Sequence, residues 1–225
     1  MNIYNKCNLD LKYEKNLNLL LNDLDTSKLN LYGFRGIEVL EDKFFNEFSD
    51  GKTNDGLISL PKSKIQNYFK NENIDVIRST IYHELVHIDL SNRYPNIHKV
   101  YNESLNSDDY IKTYTIIIFI EFMAHKESTK YETKANQEIF YNSVNSLKLN
   151  LNNDVDKVYF VKYIGYILGR LNSEFDINII KSDEIKSRSI EFQKELELIQ
   201  QKEICDDYCI LLGLEEVVKK YISNN

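Results

Sequence analysis

Residues 74–91 read IDVIRSTIYHELVHIDLS, and the organisation of the chain turns on them. At about 100° per residue, Ile74, Ile77, Ile81, Leu85 and Ile88 gather on one side of a helix. Val76, Ser79, Thr80, His83, His87 and Ser91 gather on the other. The spacing predicts a helix with one core face and one small, polar, imidazole-bearing face. Asn73 or Asp75 can cap its start, and Pro95 lies just past its expected end. Within it, His83-Glu84-Leu85-Val86-His87 is an HExxH segment. Histidines four apart share one helix face, so both imidazoles can hold a single metal ion. The glutamate between them can reach a metal-bound water. This chemistry points to a zinc (Zn2+) hydrolase, most often a peptidase. With four histidines in the chain, such a match arises by accident at roughly half a per cent.

A catalytic zinc usually takes three protein ligands and keeps one open position. Downstream, Ile116-Ile117-Ile118-Phe119-Ile120-Glu121-Phe122-Met123-Ala124-His125 is an apolar run interrupted by Glu121. A carboxylate buried there needs a cation or strong hydrogen bonds, and a metal held by His83 and His87 would supply one. The separation leaves room for the first helix to end, a loop from about Ser91 to Asp109, and a second helix to return. Ala124 shares Glu121's side and permits close helix approach. His125, one turn on, is an alternative third ligand or a support from behind. Its apolar setting favours Glu121, and the density of isoleucine argues against the alternative of a surface carboxylate paired with His125 or a lysine.

HExxH followed by a glutamate on a second helix resembles the gluzincin branch of zinc metallopeptidases. The short spacing and Glu121-Phe122-Met123-Ala124 look most like small domains of the ImmA/IrrE type, found in bacteria and their mobile elements. The resemblance covers roughly residues 37 to 131 and is most specific at His83, Glu84 and His87. It implies His83, His87 and Glu121 as ligands, Glu84 as general base, and a regulator or repressor as the protein substrate. The chain lacks an evident helix-turn-helix partner domain. The expected fold class is α+β and helix-rich: a zincin-like core of small sheet, active-site helix and ligand helix, with a helical C-terminal region. Residues 1–150 would form the catalytic domain and 151–225 the C-terminal region, with Asn150 to Asp154 as the boundary. The donor that assists zinc at the tetrahedral intermediate is sought among Tyr131 and His125 on the second helix, and Tyr94, Tyr101 and His98 before it. Sixteen tyrosines make any single choice weak, and Tyr131 is taken as the candidate. The competing view is an inactive, zinc-stabilised scaffold that binds a regulator through its C-terminal helices. An accidental motif in a helical interaction protein is a third.

Composition fits a globular protein: 42% hydrophobic and 28% charged residues in 225. A net charge of −7 disfavours general binding to nucleic acid or acidic membranes. Two prolines and seven glycines favour helices over tight turns. The wealth of Asn, Lys and Ile fits an AT-rich coding genome, bacterial or phage. Three cysteines make no disulfide framework. Cys7, Cys205 and Cys209 are read as reduced packing residues, which fits a cytoplasmic protein. Met1 to Asp10 has no apolar core of a secretory signal. The run Thr115 to Ala124 is too short to span a bilayer, so no membrane partner is expected.

Elsewhere the pattern is coarse. Leu17, Leu20, Leu21 and Leu24 suggest an N-terminal helix. Strands are expected at Ile37 to Leu40 and Leu57 to Leu60, the latter ended by Pro61. In zincin-like folds a strand ahead of the active helix often forms the edge bordering the cleft, where an extended peptide can pair; an ordinary sheet strand is the equal alternative. Beyond Glu132 the chain reads as helical. Val155, Val158, Val161, Ile164 and Leu168 form a stripe, Ile185 to Ile204 a long charged helix, and Leu211 to Ile222 a short final one. Gly165-Tyr166-Ile167-Leu168-Gly169 has GxxxG spacing in surroundings too polar for a membrane, so it reads as close packing between soluble helices.

Overall fold

The computed structural model describes residues 2–45, 51–105, 109–148, 153–171, 175–200 and 207–221. They form two compact units: residues 1–93 with 127–139, and residues 94–126 with 140–225. The protein is helix-rich with one small mixed sheet, an α+β architecture. The expected boundary at Asn150 to Asp154 falls largely outside the described residues.

The first unit holds the sheet. Its strands are β1 (Ile3–Asn5), β2 (Gly36–Leu40), β3 (Lys52–Asn54) and β4 (Leu57–Pro61). They lie in the order β1-β2-β4-β3. β1, β2 and β4 run parallel, and β3 returns antiparallel to β4. Ile37, Val39, Ile58 and Leu60 are at most 2% exposed and form the buried layer. Helix α1 (Leu11–Asn22) connects β1 to β2, as parallel strands require. Asp10 caps it by accepting from the Lys12 amide, and Leu17, Leu20 and Leu21 are buried as their spacing predicts. Cys7 is buried beside this helix, and burial pushes its thiol up from the ordinary value.

The two expected strands are present, and of the two readings of Leu57–Pro61 the ordinary inner strand is the observed one. The edges are β1 and β3, and β3, beside Leu57–Pro61, is a strand no sequence pattern predicted. Asp55 and Gly56, at φ 47° and 73°, form the tight link that folds β3 back on β4. Two positive φ values in succession are what a type I′ hairpin turn requires.

After α2 (Lys62–Lys70) comes α3 (Ile74–Arg93), carrying the HExxH segment. Its expected polar face is not a solvated one. Val76 and Ser79 are buried along with Ile77, Ile81, Leu85 and Ile88. The helix packs against α2, β3, β4 and the short turn 129–131. The turn adds Tyr131, whose ring lies 4.8 Å from that of Tyr82, and Lys130, which donates to the Tyr82 hydroxyl at 2.8 Å. At the far end, Asp89 is 1% exposed. It accepts from Arg93 Nε at 2.7 Å and from the Asn30 backbone amide at 2.8 Å, pinning the loop before β2 to α3.

The second unit is helical among the described residues. The expected loop from Ser91 to Asp109 contains α4 (Pro95–Leu105). Pro95 does not merely end α3; its fixed φ and missing N–H suit the first position of a new helix. Ser104 on α4 accepts from Thr113 at 2.9 Å, joining it to α5 (Tyr110–Ser128). Helix α6 (Lys134–Ser146) gives its first half to one unit and its second half to the other. Then follow α7 (Asp154–Arg170), α8 (Asp183–Gln200) and α9 (Asp207–Tyr221), with α7 against α8 and α8 against α9. Helices were expected in these places; the tail of the Ile185 to Ile204 expectation, with Cys205, lies outside the described residues.

The GxxxG pair packs as its spacing predicts. A Cβ on Gly165 would lie 2.8 Å from the Glu121 Cβ and 2.9 Å from the Ile118 carbonyl oxygen. A Cβ on Gly169 would lie 2.6 Å from the His125 Cβ. Only bare backbone at these two positions lets α7 come this close to α5.

Candidate metal centre

The α-helical rise and twist place His83 and His87 one turn apart on α3. Their rings stand at 89° with centroids 4.5 Å apart, and their Nε2 atoms are 2.9 Å from each other. Two nitrogens each 2.0–2.1 Å from a tetrahedral zinc would be about 3.3 Å apart. The observed pair needs a shift of only a few tenths of an ångström to match. One ligand atom from each of His83, His87 and Glu121 lies within 4.8 Å of the others. Two imidazole nitrogens and a carboxylate oxygen form a donor set that suits zinc. Among the described residues this group contains Glu121 and not His125.

Glu84 is 7% exposed, and its position is set by the sheet. The Thr53 hydroxyl on β3 donates to its Oε2 at 2.6 Å. The β3 edge approaches α3 closely here: a Cβ on Gly51 would lie 3.2 Å from Thr80 and 3.5 Å from Glu84 Cγ. One carboxylate oxygen of the expected base is therefore oriented by the strand that the sequence analysis missed. The Asp55-Gly56 pair was the signal that could have revealed it.

Glu121, 6% exposed, sits on α5 between Ile118 and Phe122, both fully buried. Lys162 of α7 stands 3.4 Å from its Oε1. No sequence pattern pointed to this lysine. His125 packs its ring 4.3 Å from that of Tyr166, an α7 contact that occupies one side of the imidazole. Tyr101 is in the same region as Glu121 and Lys162. Burial pushes its hydroxyl up, Lys162 opposes that, and Glu121 adds to it.

Tyr131 lies in the turn after α5. Its hydroxyl accepts from the Asp25 amide at 3.0 Å, and its ring rests on Tyr82. These contacts belong to the packing of α3 on the side of Tyr82. Tyr94 packs edge-on against Phe119, 6.2 Å between centroids. The His98 side chain is outside the described residues.

No family model, no curated protein and no solved structure matches the chain. The residues themselves therefore carry the functional argument.

Proposed function

We propose that the protein is a zinc-dependent metallopeptidase of the gluzincin type, with His83, His87 and Glu121 as metal ligands and Glu84 as general base. The observation that carries this reading is the donor group made by His83 and His87 of the HExxH helix with Glu121 of α5. A bound zinc would supply Lewis-acid polarisation of a scissile carbonyl and would acidify an attacking water. Glu84 takes that water's proton and passes it to the leaving amine. Its hydrogen bond from Thr53 ties up Oε2 and leaves Oε1 for the proton. The β3 edge pairs with β4 alone among the described strands, so its outer backbone groups suit an extended peptide laid beside Glu84. On this reading the sheet, α3 and α5 make a zincin-like core and the substrate is a protein segment, a regulator or repressor being the first to try.

Metal analysis of the purified protein, followed by cleavage of a mixed peptide library read by mass spectrometry, tests the proposal. The expected result is one zinc per chain and a defined cleavage pattern. Glu84→Gln should keep the zinc and lose cleavage; His83→Ala should lose both. Absence of zinc on purification and on titration would sink the reading.

A further inference from the structure

Glu121 presents a puzzle that a metal ion solves only when it is bound. Its carboxylate is held in an apolar stretch of α5, and a metal-free chain would have to keep it there with another positive charge or lose the arrangement. Lys162 provides that charge. Its ammonium stands 3.4 Å from Oε1, with its side chain 38% exposed and that of Glu121 8% exposed. The placement is a consequence of the glycine contact: Gly165 lets α7 touch the Glu121 Cβ, and Lys162, three residues earlier on α7, then reaches the carboxylate. Tyr101 is within the field of both charges.

We infer that Lys162 is a positioning residue that stands in for the metal at Glu121 and thereby sets how tightly the ion is held. The inference rests on the zinc reading above. In the metal-free chain the ion pair holds the Glu121 side chain and keeps α5 in its place against α7. A divalent cation and an ammonium sharing one carboxylate repel each other, so each weakens the hold of the other. Lys162 therefore trades affinity for order: the empty site stays assembled, and the ion it takes is exchangeable. The partner of a ligand usually strengthens a metal site. A cationic partner does the reverse.

Zinc affinity measured by competition with a chromophoric chelator, and thermal unfolding with and without zinc, test this on the full chain. Lys162→Met and Lys162→Gln should each bind zinc about tenfold more tightly than wild type. Their metal-free forms should melt lower, so that zinc raises their Tm by more. Lys162→Arg keeps the charge and should stay close to wild type in both measurements. Unchanged or weaker zinc binding in the Met and Gln variants would overturn the inference and leave the zinc site standing. So would an Arg variant that behaves like them. A wild-type chain that binds no zinc would remove the zinc reading, and this inference with it.

Discussion

The hydroxyl of Thr53 donates a 2.6 Å hydrogen bond to Oε2 of Glu84, joining the edge strand to the middle of the HExxH helix. A hydrogen bond to a charged group contributes about 1.5–3 kcal/mol. Thr53→Val keeps the shape and removes the donor. It should lower kcat about tenfold or more on whichever library peptide is cut, with KM and zinc content little changed. Equal loss of zinc would show that Thr53 supports the fold of the site and not the base.

The contact of Gly165 and Gly169 with α5 can be tested by stability alone. Alanine normally gains about 1 kcal/mol over glycine inside a helix. Here its Cβ would meet backbone atoms under 3 Å away, and such overpacking costs about 1–3 kcal/mol or more. Both Gly165→Ala and Gly169→Ala should therefore lower the Tm, by several degrees for a chain of this size. A rise in Tm would mean the helices are not in close contact.

Asp89 makes a separate prediction about the helix end. Asp89→Ala deprives the Asn30 amide and the Arg93 guanidinium of their acceptor. The expected loss is about 2–3 kcal/mol in urea unfolding, larger than that of Arg93→Ala, whose side chain is 38% exposed. Equal losses in the two variants would assign the effect to the ion pair and not to the loop attachment.

Glu38 on β2 joins Ser59 of β4 to Lys6, the residue after β1, and gives the fold an acid limb. Burial works to raise its carboxyl, but hydrogen bonds from Lys6 and Ser59, each 2.6 Å, outweigh it and hold the group below its ordinary value. Stability from a depressed carboxyl is present above the unfolded value and is lost as pH falls through the folded one. The wild type should thus lose Tm as pH falls below about 4.5, the ordinary value of the group. Glu38→Gln should start lower at neutral pH and show a flatter acid limb. Parallel curves for the two would refute the role given to Glu38.

Most of what could be read in the sequence was local; Glu121 stood out at long range only because it interrupts an apolar run. The period of Ile77, Ile81, Leu85 and Ile88 gave α3, and the stripe on 155–168 gave α7. The GxxxG spacing gave a close helix contact, since two bare positions one turn apart have few other uses. β3 escaped because Lys52-Thr53-Asn54 is polar and carries no alternation. α4 escaped because a proline suits both the end of one helix and the first position of the next, and Pro95 does the second. Thr53 and Lys162 were invisible for a different reason. Each acts on a residue far along the chain, Thr53 across 31 positions, and no spacing rule joins them.

The division of the first unit into residues 1–93 and 127–139 has a consequence for how the chain is made. Synthesis runs from the N-terminus at about 5–20 residues per second. The stretch 94–126 therefore delays the arrival of Lys130, Tyr131 and Asn136 by about 2–7 s. During that interval Tyr82 lacks the ring of Tyr131 and the ammonium of Lys130, and the Asp75 carbonyl lacks the Asn136 amide. A nascent chain halted at residue 93 would carry the whole HExxH segment before the residues that pack on Tyr82 and Asp75 exist.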